Sequence, residues 1–250
     1  MTTPALPGFF QPVYLDATDS TNDEAKRRAR SGAPEGTLIW AGAQSAGRGR
    51  QGKSWFSPPG NLYLSLVLRP RCDVAQAAQL SFAAALAVGD ACRGLLPAGA
   101  GLAYKWPNDV LVSGKKVAGI LLESQAAGGK TLDFLVIGIG INLVSHPKDT
   151  AYPATSLKSE GACAVTPATM LEALAPALIL WYERWGAEGF EPLRRAWLDQ
   201  AFGLGSEIRA QLPQAELTGR FAGLDADGAL LLETAGGARR IAAADIFPAS

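Results

Sequence analysis

Leu62, Leu64, Leu66 and Leu68 alternate with other residues, the period of an extended chain with one apolar side, so residues 62–68 read as a strand. Further strand patterns fall at 13–15, 37–43, 102–106, 110–112, 117–124 and 132–141, the last apolar almost throughout and closing on Gly138-Ile139-Gly140-Ile141-Asn142. The segments 110–112 and 117–124, joined by Ser113-Gly114-Lys115, have a hairpin pattern. Residues 23–30 place Asp23 and Glu24 first and Arg27, Arg28 and Arg30 last, as a helix dipole favours, with Ser20 and Thr21 positioned to cap. Residues 75–93 are Ala-rich and closed by Gly94 and Pro97. Leu171, Leu174, Leu178, Trp181 and Trp185 repeat along one face of 166–185. Both helices are expected to pack on the sheet, with these tryptophans in the core.

After Gly203-Leu204-Gly205 the texture changes to short strand patterns at 207–211, 217–222, 229–233 and 239–243, separated by Asp/Gly-rich turns. The chain therefore divides into an α/β unit, residues 1–204, and a small barrel-like all-β module, residues 205–250.

Composition narrows the class. Of 250 residues, 48% are hydrophobic and 18% charged, enough apolar material for a sizeable core. The formal net charge is +0 and basic runs are short, which argues against an extended nucleic-acid surface. Cys72, Cys92 and Cys163 form no C-x-x-C pair, so neither a disulfide framework nor a cysteine zinc site is indicated. The start, from Met1 to Phe10, lacks a basic run followed by a long apolar stretch, and no later segment has the uncharged length of a membrane helix. A cytoplasmic protein is expected.

Gly47-Arg48-Gly49-Arg50-Gln51-Gly52 satisfies G-x-G-x-x-G, and with Lys53-Ser54 it also satisfies the Walker A pattern. Both motifs hold phosphate at the start of a helix, yet Trp55-Phe56-Ser57-Pro58-Pro59-Gly60 follows, and Pro-Pro-Gly forbids one. A P-loop nucleotide hydrolase working through Lys53 is thus a distant alternative. The loop instead offers flexible backbone, two guanidiniums suited to phosphate oxygens, and Trp55 as a stacking face; a solvated basic loop with Trp55 turned into the core is the bland reading.

Lys105-Trp106-Pro107-Asn108-Asp109 and Lys115-Lys116-Val117-Ala118-Gly119-Ile120 supply further cations beside small residues that permit close approach. The only histidine, His146, precedes Pro147 in a loop pattern, so histidine-based catalysis and histidine metal sites find little support. Chemistry must then rest on charge and positioning. Carboxylate adenylation is such a reaction, since its nucleophile is already ionised.

Taken in order, Asp19-Ser20-Thr21-Asn22, Gln44 with the Arg/Gly loop and Trp55, 105–109, 116–120 and 138–142 resemble the biotin protein ligase family, over about residues 13–145 and more faintly over 219–233. The resemblance implies a mixed central sheet flanked by helices, of the class II aminoacyl-tRNA synthetase-like kind, with a C-terminal SH3-like β-barrel. It implies biotin and ATP as substrates, Mg²⁺ as the ion, and transfer of biotin through biotinyl-AMP to a lysine of a biotin carboxyl carrier protein. Ser20, Thr21, Asn22 and Gln44 would then hold the ureido end of biotin, and Arg48, Gly49 and Arg50 would close over biotin and the adenylate phosphate. Lys116 would sit at the carboxylate and α-phosphate, making Lys116 and Arg48 the catalytic pair, with Gly119 and Gly138 lining the pocket. Trp55, Lys105, Asn108 and Asn142 would meet the nucleotide, and Asp109 its Mg²⁺. With 18 residues before Asp19, no helix-turn-helix domain and no DNA binding are expected. A lipoate ligase, whose loop typically carries a histidine just beyond it, and a non-catalytic binder of biotin or its adenylate are the competing readings. An exposed sheet edge would leave room for a homodimer or for carrier docking.

Overall fold

The computed structural model describes residues 4–128 and 131–249, so the first three residues of the segment from Met1 to Phe10 lie outside it. A seven-stranded sheet forms the centre, in the order β1-β2-β3-β7-β6-β5-β4. Its strands are β1 (Gln11–Leu15), β2 (Thr37–Ala41), β3 (Leu62–Leu68), β4 (Leu102–Lys105), β5 (Asp109–Val112), β6 (Lys115–Gly128) and β7 (Thr131–Ile141). β1 runs parallel to β2 and every other pairing is antiparallel, which makes the sheet mixed.

The two faces of the sheet differ, as period-two alternation demands. Leu62, Leu64, Leu66 and Leu68 of β3 join Ile137, Ile139 and Ile141 of β7 and Ala118 and Ile120 of β6 in the main core. Over this face lie α2 (Val74–Ala78), α3 (Leu80–Leu95), α4 (Pro167–Glu188) and α5 (Glu191–Leu198). The opposite face carries α1 (Thr21–Arg30), which packs Ala25 and Ala29 on Ile39, Val67, Phe134 and Val136. At ten residues, α1 covers only part of that face.

The expected helix 75–93 is two helices. Asp73 caps α2 through a capping box with Gln76, and the chain restarts at Gln79, whose side chain receives a hydrogen bond from Trp185 Nε1. Trp181 is buried and donates to Asp90, whereas Trp185 is half-buried. Helix α5 has no counterpart in the pattern reading, although Pro192 in its first turn was a usable start signal.

The C-terminal strands β8 (Glu207–Gln211), β9 (Glu216–Leu224), β10 (Leu230–Thr234), β11 (Gly237–Ile241) and β12 (Asp245–Pro248) form an antiparallel sheet in the order β11-β10-β9-β8-β12. The last strand returns beside the first, the arrangement of a small SH3-like barrel. β12 is too short to show a pattern of its own. Phe221, Leu230, Leu232 and Ile246 of this sheet are continuous with the main core, and Trp106 Nε1 donates to Gly228 O at 3.0 Å. No helix among the described residues is long and apolar enough to cross a membrane.

The loop after β7 is fixed by one side chain. Asn61 is fully buried, and its Oδ1 accepts from the backbone N–H groups of Leu143, Val144 and Ser145 at 2.9, 3.0 and 3.2 Å. Asn61→Ala strands these donors and is expected to cost about 2–4 kcal/mol, read from the urea unfolding midpoint. A loss below about 0.5 kcal/mol would show that the loop finds other partners.

Candidate active site

Where α1 leaves the sheet uncovered, the strands present small residues. Ser65 of β3, Gly138 and Gly140 of β7 and Gly119 of β6 alternate with the core-facing leucines and isoleucines, and Gly119 pairs directly with Gly140. On this bare floor lies Trp55. A Cβ at Gly119 would meet the indole at 2.9 Å, and one at Gly140 would overlap it. Trp55 is half-buried, with Nε1 enclosed and unpartnered, so the indole faces the cavity rather than joining the core.

One end of the cavity is neutral and polar. Gln44 Oε1 accepts from Thr21 N at 2.8 Å and from Thr21 Oγ1 at 3.1 Å, while Gln44 Nε2 donates to Ser57 Oγ at 2.9 Å. Ser65 Oγ bridges Thr21 Oγ1 and Asn22 Oδ1 at 2.8 and 2.5 Å. The expected capping by Ser20 or Thr21 is therefore corrected: Ser20 holds the N-cap position without a side-chain cap bond, and Gln44 satisfies the N–H of Thr21 from another segment. Gly138 is required here, because a Cβ would overlap the Asn22 amide.

The middle is charged. The buried Asp109 carboxylate lies between Lys116 Nζ at 2.6 Å and Lys105 Nζ at 2.9 Å. Burial opposes its charge, but the two ammonium groups outweigh it and hold the carboxyl below the usual carboxylate range. Lys116 Nζ also stands 5.2 Å from the Trp55 ring centroid, and Lys105 Nζ 4.8 Å from that of Tyr152. Asn142 is buried and donates to Thr155 O at 3.0 Å. Asn108 Nδ2 donates to Ile120 O at 2.5 Å, so both amides brace the strands beside Lys116.

The Arg/Gly loop folds back as a narrow hairpin, with Gly49 N donating to Lys53 O at 2.7 Å and Trp55 N to Gly47 O at 2.8 Å. A single 3₁₀ turn, Arg50–Gly52, gives way to extended backbone at Lys53, so neither phosphate motif has its helix. Lys53 pairs with Asp245 of β12 instead of entering the cavity centre. Arg48 Nη2 reaches Asp23 Oδ1 at 2.7 Å and Glu123 Oε2 at 2.8 Å. Arg50 is half-buried, and among the described residues its side chain donates only to Asn108 Oδ1, at 3.4 Å; its pKa is lowered because desolvation exceeds the pull of Asp245 and Asp109. A desolvated guanidinium without a contacting carboxylate suits an incoming anion.

These parts enclose one cavity of about 840 Å³. Ser20, Thr21, Asn22, Gln44, Arg48, Gly49, Arg50, Trp55, Lys105, Asn108, Asp109, Lys116, Gly119, Gly138 and Asn142, named from the sequence, all line it. Sequence reading missed Ser65, Phe56, Tyr152, Asp245 and Phe247, which line it or build its walls, and Glu123 behind Asn22. Tyr152 and Phe247 come from distant segments and touch at 6.4 Å between ring centroids, a contact no local pattern encodes. His146 is half-buried and lies beside a separate shallow groove.

The described residues contain no group of three His, Cys, Asp or Glu side chains placed to hold a metal. Asp109, the expected Mg²⁺ ligand, has each carboxylate oxygen facing an ammonium, surroundings that disfavour a third cation.

A profile of the Biotin/lipoate A/B protein ligase family matches residues 14–142, and one of the Biotin protein ligase C terminal domain matches residues 203–247. The chain belongs to the biotin/lipoate A/B protein ligase family. The second profile is that of the biotin branch in particular. The chain is 44% identical to a biotin–[acetyl-CoA-carboxylase] ligase of Paracoccus denitrificans, over 93% of this chain and 98% of that protein. It is 37% identical to a bifunctional ligase/repressor of Bacillus subtilis over 94% of this chain, spanning 73% of the repressor. The solved biotin protein ligase from Aquifex aeolicus, in complex with biotin and ATP, superposes with a TM-score of 0.80 at 27% identity, covering 95% of this chain and 97% of that one.

Asp109→Asn leaves two lysines facing a neutral amide and is expected to destabilise the protein by about 3 kcal/mol at pH 7. Because folding lowers the Asp109 pKa, its contribution is present above about pH 4 and is lost as pH falls further. The gap between wild type and variant in urea midpoints should thus shrink below that pH; a gap independent of pH would count against the ion-pair account.

Proposed function

We propose that this protein is an ATP-dependent biotin protein ligase. It joins the biotin carboxylate to the α-phosphorus of ATP, releasing pyrophosphate, and passes the biotinyl group to a lysine amine of a biotin carboxyl carrier protein, releasing AMP. The observation that carries this reading is the ordering of one cavity into a neutral donor/acceptor end, a cationic middle and an aromatic floor. The similarity to ligases solved with biotin and ATP supports it.

Thr21, Asn22 and Gln44, with Ser20 beside them, would take the ureido end, because fixed amide and hydroxyl groups match neutral donors and acceptors. Lys116 and Arg50 would neutralise the carboxylate and α-phosphate as they approach, with Arg48 and Gly49 in the covering loop. Trp55 and Lys105 would face the nucleotide, and Asn108 and Asn142 would brace the backbone beside Lys116. Asp109 is assigned to anchoring Lys105 and Lys116. Mg²⁺ would enter on the ATP phosphates and lessen their charge. Residues 1–204 would form the catalytic unit and 205–250 the module that closes its far wall.

With ATP and a carrier domain, the protein is expected to transfer labelled biotin, and Lys116→Ala to lower that rate by about 100-fold or more. Transfer by the variant at the wild-type rate would remove Lys116 from the mechanism. Calorimetry with biotin and then lipoate should give binding with biotin alone; the reverse order would transfer the assignment to lipoate.

Arg50→Ala should speed release of biotinyl-AMP about tenfold while the melting temperature changes by less than about 2 °C, since its burial is not repaid by a contacting carboxylate. A large loss of stability with unchanged release would make Arg50 a structural residue.

A further inference from the structure

Arg48 meets two carboxylates on two different elements. Its Nη2 donates one hydrogen bond to Asp23 in the first turn of α1 and another to Glu123 on β6, across the end of the cavity where α1 stops covering the sheet. Arg48 Nε and Nη1 have no hydrogen-bond partner among the described residues, so the same guanidinium can be anchored and still present donors to the cavity. Glu123 is no isolated surface acid. Its Oε2 also accepts from Asn22 Nδ2 at 2.8 Å, which turns the Asn22 Oδ1 toward Ser65, and its Oε1 pairs with Lys26 Nζ at 2.7 Å. Lys26 in turn pairs with Asp23 at 2.9 Å, closing a ring of two acids and two bases. Pairing of this kind keeps Glu123 ionised below the usual carboxylate range although burial opposes it.

We infer that Asp23 and Glu123 form an acidic catch that holds the Arg/Gly loop closed over the cavity through Arg48. Glu123 is a positioning residue: it fixes the loop and orients the Asn22 amide. The catch draws on charge because the loop has little else. Gly47, Gly49 and Gly52 bring no side chains, Gln51 has positive φ, and Lys53 is mostly exposed where it meets Asp245. Arg48 pinned at one end leaves Arg50, two residues further on in the 3₁₀ turn, as the guanidinium that meets no carboxylate at contact distance among the described residues and can receive an anion. The two arginines thus divide the work of closure and of charge neutralisation.

The test is amide hydrogen exchange of the full chain without ligand, following a peptide over 47–53 and, as an internal reference, one over β7. Glu123→Gln keeps an acceptor for Asn22 but removes the charge facing Arg48 and Lys26, and Asp23→Asn removes the other arm. Each is expected to raise loop exchange several-fold, and both together about tenfold, with the β7 peptide unchanged. Glu123→Gln should add nothing in an Arg48→Ala background, since the partner is gone. Lys26→Met, which frees both acids for Arg48, should leave loop exchange unchanged or slower. Unchanged exchange in Glu123→Gln, additivity with Arg48→Ala, or equal loosening by Lys26→Met would overturn the catch.

A second measurement rests on the functional reading above: Glu123→Gln should speed dissociation of biotinyl-AMP about tenfold. A loosened loop with unchanged dissociation would overturn the role of the catch in retention. Failure of the wild type to form an adenylate would count against the functional reading alone, because the exchange measurement involves no ligand.

Discussion

The site depends on a sheet that is full on one face and bare on the other. Strands β3, β6 and β7 put leucine and isoleucine toward α3 and α4, and put serine and glycine toward the side that α1 leaves open. Glycine weakens a strand interior, because it loses more entropy on folding and packs nothing. Here that cost sits in central strands whose other face is sealed by a large core, where neighbours on both sides hold the register. The Gly119–Gly140 pair then lets an indole lie on backbone, and Gly138 lets the Asn22 amide do the same. A methyl group at any of these positions would collide with the indole or the amide and push it off the strand.

Charge is laid on this floor so that it is fixed before any ligand arrives. Lys105 and Lys116 converge because Asp109, buried between them, cannot lose either without stranding a charge. Two cations held by one anion leave a net positive site, whose charge balance an added anion completes instead of disrupting. Positioning of this kind costs no rearrangement at the moment of reaction, the condition under which electrostatic stabilisation is most effective. Each oxygen of that carboxylate already faces an ammonium, so its environment favours anchoring over metal ligation, a choice that the residue type leaves open.

The strands and the long helices were legible in the sequence because their periods follow from local geometry, and the Pro58-Pro59-Gly60 turn correctly excluded both phosphate motifs. Positions that depend on distant partners were not. Gln79 breaks a helix that alanine content would continue, and it does so where Trp185 donates to its side chain. Ser20 has a capping residue type at a capping position, yet Gln44 supplies the bond from across the sheet. Arg48 and Arg50 are indistinguishable in the motif; only the fold reveals that one faces two acids and the other none at contact distance. Candidate residues were therefore easier to find than their division of labour.

The C-terminal sheet is bound to this logic more closely than an appended module would be. Trp106, one residue after Lys105, is buried and donates to Gly228, while Gly228 packs on Phe82 and Phe190 of the helical layer. Asp245 reaches Lys53 in the loop, and Phe247 meets Tyr152, whose ring in turn faces Lys105. A continuous path of contacts thus joins β12 to both the loop and the lysine pair. The electrostatics of the site accordingly include Asp245, whose charge acts on Arg50 from the second sheet and partly offsets the cost of burying it. The cavity is complete only when both sheets are in place, because Asp245 and Phe247 of β12 line it together with residues of the central sheet.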